Sequence, residues 1–124
     1  MRITEQEIAE LKEFIFQLNT VNQTVIVEGK RDSKALRKLG YLGKILEFHR
    51  FGGMVNFADT VSEYDNIILL FDRDRHGQKL TEKAIQLLQR RTSIDTTFKK
   101  KLRKITKGKI MFIEQLVCYE SYFG

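Results

Sequence analysis

The stretch Ile67-Ile68-Leu69-Leu70-Phe71-Asp72-Arg73-Asp74-Arg75-His76-Gly77 determines the predicted fold. Its five consecutive apolar residues lie between Asn66 and Asp72, a pattern typical of a strand buried on both faces of a parallel sheet. Gly77 permits a tight turn, and a long helical pattern begins at Gln78. In open α/β sheets, ligands bind where strands end and loops lead into helices. The two aspartates of this stretch therefore lie at a predicted site.

Asp72 and Asp74 are separated by a single residue. Two carboxylates at such a position repel each other unless a cation lies between them. The expected cation is Mg²⁺, which binds one or two carboxylates and keeps several waters. The same residues also fit a simple strand-to-helix turn in which Asp74 caps the helix. The motif by itself leaves both interpretations open.

A second acid follows a second predicted strand. Thr24-Val25-Ile26-Val27 is short and β-branched, and Glu28 comes directly after it. Right-handed crossovers bring the carboxyl ends of parallel strands to one edge, so Glu28 is expected to lie near the two aspartates. Asp32 begins a helix that runs through Leu39, and capping of that helix is an alternative role for it.

The other elements follow from apolar periodicity and capping signals. Thr4 and Glu7 make a predicted capping box for the first helix, and Asp95 is the predicted cap of a basic helix. Together the patterns predict an α/β domain with a four-stranded, mostly parallel sheet flanked by helices in three layers. The predicted elements are helix 4–18, strand 24–27, helix 32–39, strand 44–49, helix 54–62 (Val55, Ala58 and Val61 inward), strand 67–71, helix 78–91, helix 96–107, strand 110–112 and helix 113–123.

The composition is that of a globular protein. The 124 residues are 42% hydrophobic and 31% charged, which predicts a single domain over 1–124 with one core. No apolar run approaches the length of a transmembrane helix, and residues 1–10 are polar and acidic, unlike a signal peptide. A cytoplasmic location is therefore expected. Cys118 is the only cysteine, which excludes an internal disulfide and a cysteine-based zinc site.

The charge is concentrated near the C-terminal end. Residues 90–109 carry nine basic side chains and one acid, a net +8 against +6 for the whole chain. A concentrated basic face indicates a polyanion partner, for which nucleic acid is the usual candidate. A solvated lysine-rich helix face, on a different element from the acids, is the alternative. The candidate contacts are Lys99, Lys100, Lys101, Arg103, Lys104 and Lys107.

The two acidic motifs together resemble those of the toprim domain family, which includes topoisomerases, bacterial-type primases and the maturase of 5S ribosomal RNA. In that family one hydrophobic strand ends in Glu-Gly and a later one ends in Asp-x-Asp-x-x-Gly. Here these motifs are Val25-Ile26-Val27-Glu28-Gly29 and Leu69-Leu70-Phe71-Asp72-Arg73-Asp74-Arg75-His76-Gly77. The resemblance covers residues 24–91 and implies a toprim, Rossmann-like fold.

The resemblance also implies a chemistry. In toprim enzymes the carboxylates hold Mg²⁺ or Mn²⁺, so Asp72 and Asp74 would bind metal here, and Glu28 would bind metal or move a proton. The reaction would be phosphodiester transfer or hydrolysis. Four cations near the acids would either clamp phosphates or balance charge; these are Lys30, Arg31, Arg73 and Arg75. His76 would assist proton transfer or have no role.

Three functional hypotheses follow. The leading one is a Mg²⁺-dependent nuclease acting on RNA, a preference that rests on the resemblance to the ribosomal RNA maturase. The second is a nucleic-acid-binding subunit of a processing complex that uses metal for binding only. The third is a phosphatase of the haloacid-dehalogenase type, which also carries Asp-x-Asp after a strand. That class has further acids and a lysine downstream in a longer chain, whereas 47 residues follow Gly77 here.

Overall fold

The computed structural model describes residues 2–124 of the chain. Five α-helices, two 3₁₀ helices and four strands follow one another in these residues. In chain order they are α1 (Glu5–Val21), β1 (Thr24–Val27), α2 (Lys30–Lys38), β2 (Ile45–Glu47), the first 3₁₀ helix (Phe48–Phe51), α3 (Met54–Val61), β3 (Asn66–Leu69), α4 (Arg75–Leu88), β4 (Ser93–Asp95), α5 (Thr97–Ile105) and the second 3₁₀ helix (Ile113–Tyr122).

The four strands form one sheet in the order β2-β1-β3-β4, and every pair is parallel. The central pair is β1 and β3, with Val25 opposite Ile68. All four residues of β1 are buried, as are the three apolar residues of β3. The predicted α/β fold with a four-stranded parallel sheet is therefore confirmed, and the two motif-bearing strands are neighbours.

Helices cover both faces of the sheet because successive strand side chains point to opposite sides. Val25 and Val27 pack with α1, α2, α5 and the second 3₁₀ helix. Ile26 packs on the other face with α3 and α4. The two apolar clusters make the three predicted layers. Within α3 the inward face carries Phe57 rather than the predicted Val55, which is 67% exposed.

The fourth strand differs from the prediction. It is β4, which pairs with β3 through Ile67 and Ile94, whereas residues 110–112 form no strand. A three-residue strand with a single apolar side chain is too short to show the alternation of apolar and polar residues that predicts a strand. Its conformation therefore depends on pairing with β3. The predicted cap at Asp95 is partly right. Its Oδ1 accepts the amide of Thr97 at 2.7 Å, although Thr96 is the residue that precedes α5.

The chain ends in a long 3₁₀ helix rather than the predicted α-helix over 113–123. Its apolar side packs on the face of the sheet that α1 and α2 cover, through Leu116 and Tyr119. Among the described residues, no helix combines the length and the apolar character needed to cross a bilayer.

The start of α1 agrees with half of the predicted capping box. Thr4 Oγ1 accepts the amide of Glu7 at 3.1 Å. The Glu7 side chain, which is only 2% exposed, is bound elsewhere. Its carboxylate accepts from Lys109 Nζ at 2.6 and 2.7 Å and from Tyr119 Oη at 3.0 Å. We call Glu7, Lys109 and Tyr119 the Glu7 cluster; it ties the N-terminal helix to the C-terminal segment.

Candidate metal and nucleic-acid site

Glu28 and Asp72 meet at the carboxyl edge of the sheet. Glu28 follows β1, Asp72 follows the neighbouring β3, and both side chains are buried, at 6% and 9% exposure. Glu28 Oε2 accepts the backbone amide of Asp72 at 2.7 Å. The pairing of adjacent strands thus brings together two acids that are 44 residues apart in the sequence.

Asp72 is held in an environment that disfavours its charge. Burial raises its pKa to about 7, and the nearby charge of Glu28 adds to the rise. The charge of Asp74 acts in the same direction. One interaction opposes these effects: Asp72 Oδ1 accepts the amide of Ile113 at 2.7 Å. A divalent metal ion or a proton would each relieve this repulsion.

Asp32 is a third buried acid beside this pair. Its Oδ2 accepts the amide of Gly29 at 3.1 Å, so Asp32 does help to cap α2. It does so from the third position of a helix that begins at Lys30, rather than from the predicted start at Asp32. Burial and the nearby charge of Asp72 nevertheless raise the pKa of Asp32 to about 6. We call Glu28, Asp32 and Asp72 the acidic cluster. None of the salt bridges within residues 2–124 involves these carboxylates.

Asp74 has the capping role that the sequence left open. Its Oδ1 accepts the amide of Gly77 at 2.8 Å, and α4 begins at Arg75. A carboxylate has two oxygens, so the cap leaves Oδ2 available to a ligand. Across residues 2–124, no set of three histidine, cysteine or acidic side chains is placed to hold a metal ion together. Glu28 and Asp72 are therefore the centre of the candidate site, and Asp74 lies at its margin.

Gly77 serves a different purpose from the predicted tight turn. It lies in the first turn of α4, and a Cβ at this position would come within 2.0 Å of the Asp72 carbonyl oxygen. Backbone atoms cannot shift as a flexible side chain can. The motif glycine therefore lets α4 pack directly against the carbonyl of the metal-binding candidate.

His49 lines the same cleft and was missed by the sequence analysis. Its amide donates to the Glu28 carbonyl at 2.9 Å, and a Cβ on Gly29 would lie 2.9 Å from its Nδ1. The cleft has a volume of about 340 Å³ and includes the acidic cluster and His49. No local pattern marks His49, because only the pairing of β2 with β1 places it there. His76, in contrast, is exposed on α4 and does not line this cleft.

The four cations next to the acidic motifs occupy different environments. Lys30, Arg31 and Arg75 are exposed, and Arg31 makes a long ion pair of 3.8 Å with Glu114. Arg73 is directed toward the backbone of the C-terminal segment, where its Nη1 donates to the Ile110 carbonyl at 2.8 Å. The structure therefore gives Arg73 a structural contact besides its predicted role in phosphate binding.

Lys99 lies closer to the acids than the sequence suggested. Its Nζ donates to the Asp72 carbonyl oxygen and to Thr81 Oγ1, each at 3.3 Å. Burial lowers the pKa of Lys99, while the charges of Glu28 and Asp72 act in the opposite direction. The expected separation of the basic helix from the acidic site is thus wrong for its first lysine.

The cations on and just after α5 line a groove, line an adjoining cleft or face α1. A groove of about 280 Å³ lies between α4 and α5. We call it the basic groove; its polar lining includes Arg73, Gln78, Thr81, Lys99, Lys100 and Arg103. Lys104 and Lys107 line an adjoining cleft with Lys100 and Arg103. Lys101 instead faces α1, where its Nζ donates to Gln17 Oε1 at 3.3 Å.

The residues of the acidic cluster are suited to a hard divalent cation. Their donors are carboxylate oxygens, which Mg²⁺ and Mn²⁺ prefer over nitrogen or sulfur. Glu28 and Asp72 are buried next to each other, and neither carboxylate takes part in a salt bridge in the described part of the chain. A bound cation would therefore remove a repulsion that the fold maintains. Mg²⁺ needs few protein ligands because it keeps several waters.

Comparison with known proteins gives a consistent result. Residues 23–114 match the Toprim domain family. A UPF0292 protein of Thermococcus sibiricus is 39% identical over 107 residues, which cover 86% of this chain and 84% of the relative. The UPF0292 protein of Pyrococcus horikoshii is 36% identical over 82% and 77% of the two chains. A solved structure of a protein from Aquifex aeolicus superimposes with a TM-score of 0.69 at 29% identity, over 85% of this chain and 96% of that one.

Proposed function

Because the chain belongs to the Toprim domain family, we propose that it is a Mg²⁺-dependent nuclease that cleaves phosphodiester bonds in RNA. Membership in this family supports a metal-dependent role in nucleic-acid chemistry. The observation that carries the proposal is the contact of the buried Glu28 carboxylate with the Asp72 amide, which holds two acids side by side. Neither carboxylate takes part in a salt bridge within residues 2–124. A fold that needed these residues only for packing would be more stable with neutral side chains.

Each acid has a distinct role in this proposal. Asp72 and Glu28 bind the metal, and Asp74 contributes its free Oδ2 while its Oδ1 keeps the start of α4 in place. The bound metal would neutralise the scissile phosphate and lower the pKa of an attacking water. In this proposal Glu28 also takes or returns a proton, and its contact with the Asp72 amide supports this role.

The basic side chains supply the affinity for the substrate. Phosphate contacts by lysine and arginine provide most of the sequence-independent binding of nucleic acids. The groove-lining cations Lys99, Lys100 and Arg103 lie on the same side of the molecule as the Asp72 carbonyl. The choice of RNA over DNA rests on the resemblance to the ribosomal RNA maturase, so both substrates belong in the test.

The test is a cleavage assay on end-labelled RNA and DNA with Mg²⁺ or Mn²⁺, and with EDTA as the metal-free control. Glu28→Gln and Asp72→Asn should each lower the rate by at least roughly a hundredfold, since a positioned acid or base alone contributes that much. Asp65→Asn is the matched control, because Asp65 is an exposed aspartate at the opposite end of β3. Equal activity in EDTA, or full activity of Asp72→Asn, would overturn the proposal.

A second candidate function is a metal-dependent nucleic-acid-binding subunit without cleavage activity. It is favoured by the absence, in residues 2–124, of a ready-made group of three metal-binding side chains. In that case Mg²⁺ would strengthen binding of RNA or DNA while the labelled strand stays intact. The same assay, with a binding measurement on each sample, separates the two functions.

A further inference from the structure

Lys99 differs from the other basic residues of α5 because its ammonium group is partly buried beside the acidic cluster. An ammonium has three N–H groups. Two of them are directed to the Asp72 carbonyl oxygen and to Thr81 Oγ1. Lys99 takes part in none of the salt bridges within residues 2–124, so one N–H remains for an acceptor from outside the protein.

Lys99 also lines the basic groove, in which it is the first cation along α5. The groove continues from Lys99 to Lys100 and Arg103, and the adjoining cleft extends to Lys104 and Lys107. A row of cations therefore begins at the carbonyl of Asp72 and runs along α5 toward its C-terminal end. A phosphate chain bound to this row would have one phosphate next to the acidic cluster.

The other side of the acidic cluster is less favourable to a polyanion. Its cations, Lys30 and Arg31, are exposed, and the Arg31 side chain is 86% exposed and pairs with Glu114. Glu114 also lines the acidic cleft on this side, where it adds a negative charge. The cations of α5 have no comparable acid in the lining of the basic groove.

We propose that Lys99 binds a non-bridging oxygen of the substrate phosphate adjacent to the scissile one, and that the nucleic-acid strand leaves the acidic cluster along the basic groove. This inference rests on the proposed function of the acidic cluster and adds the path of the substrate. Lys99 is then a substrate-binding residue of the acidic site. The exposed cations on α2 lie outside the path.

The first test measures metal binding without nucleic acid, by calorimetry with Mn²⁺. Lys99→Met keeps the partly buried aliphatic stem and removes the charge, so Mn²⁺ should bind roughly three- to tenfold more tightly, as expected for one charge near a divalent ion in a partly solvated site. Lys99→Arg should retain the parent affinity. Lys83→Met is the matched control, since Lys83 is exposed on α4 and is absent from the groove lining. An unchanged affinity in Lys99→Met would overturn the assignment of Lys99 to the acidic site.

The second test locates the strand by lysine acetylation and mass spectrometry, with a short single-stranded RNA or DNA bound in Mg²⁺. Protection should fall on Lys100 and Lys104, while Lys30 and Lys34 stay reactive. Lys99→Met should weaken binding about tenfold, and Lys83→Met should not. Protection of Lys30 and Lys34 with Lys100 reactive would overturn the path and leave the nuclease proposal standing. Absence of any binding to RNA or DNA would overturn both.

Discussion

The buried carboxyl groups of residues 2–124 lie in two places, the Glu7 cluster and the acidic cluster, and they differ in what neutralises them. In the Glu7 cluster, Glu7 is bound by Lys109 Nζ at 2.6 Å and by Tyr119 Oη at 3.0 Å. In the acidic cluster, Glu28, Asp32 and Asp72 face one another and accept backbone amides. The carboxyl groups of both clusters are buried to a similar degree. The clusters therefore differ in whether a basic side chain is bound to the carboxylate.

The comparison separates a structural role of a buried acid from a functional one. A buried charge that has its own basic partner is stable in place, and removing the partner is costly. Buried like charges without a partner raise one another's pKa and destabilise the fold at neutral pH. Such strain is typical of sites that are completed by a ligand.

The largest effect should come from breaking the Glu7 cluster. Lys109→Met leaves the Glu7 carboxylate buried without its cation, and we expect a loss of about 2–4 kcal/mol in the free energy of unfolding. Urea denaturation at neutral pH measures it. The exposed Lys83→Met is the control and should change stability by less than about 0.5 kcal/mol. A loss below about 1 kcal/mol for Lys109→Met would mean that the Lys109–Glu7 pair contributes no more than an ordinary surface salt bridge.

Substitution in the acidic cluster is expected to raise the free energy of unfolding instead of lowering it. Asp72→Asn removes a repelling charge, and its side-chain oxygen can still accept the amide of Ile113. Without divalent metal at about pH 7.5, we expect a gain of roughly 1–2 kcal/mol in the free energy of unfolding. Asp65→Asn, at the other end of β3, should have no such effect. A less stable Asp72→Asn protein would mean that the charge of Asp72 has a structural partner.

The pH dependence of stability should also distinguish the two clusters. The pKa values of Asp32 and Asp72 are raised in the folded state, to about 6 and about 7, from an ordinary value of 3.8. Between about pH 4 and about pH 7 the folded protein therefore binds more protons than the unfolded chain. The free energy of unfolding consequently falls as the pH rises through this range. We expect a contribution of about 1–2 kcal/mol in EDTA, measured by urea denaturation across this range.

The double variant Asp32→Asn/Asp72→Asn is the control for this pH dependence and should flatten the curve. Mn²⁺ should reverse the loss near neutral pH, because it binds the ionised carboxylates of the folded protein. Parallel curves for the parent and the double variant would show that other groups cause the dependence.

The smallest effect on stability should come from the outer cations of α5. Replacing Lys100, Lys104 and Lys107 by Gln removes exposed charges and should change the free energy of unfolding by less than about 1 kcal/mol. Binding of single-stranded RNA and DNA should weaken, with the slope of log K against log salt reduced by roughly 2, at about 0.7 per lost phosphate contact. Metal affinity should change little compared with Lys99→Met. An unchanged salt slope would make this surface a solvated helix face.

The sequence alone determined the class of fold and indicated where along the chain the candidate site lies. Five apolar residues before Asp72 and a β-branched run before Glu28 indicate buried parallel strands. A run of apolar or β-branched residues between turn signals is a local feature of the sequence, so it can be recognised without the tertiary structure. The same local chemistry marked Thr4 as a helix cap and left Asp74 open between a helix cap and a metal ligand. Both side chains accept a backbone amide at the start of their helix.

Only the tertiary structure decided which side chains surround the acids. His49 enters the cleft because β2 pairs with β1, and Lys99 reaches the Asp72 carbonyl because α5 packs on the same face of the sheet as α1. Strand β4 forms because residues 93–95 pair in parallel with β3. Likewise, Glu7 looked like half of a capping box, yet its partner Lys109 lies 102 residues away. Periodicity and capping report on neighbours within a few residues, whereas charge compensation and substrate contacts depend on elements that only packing brings together.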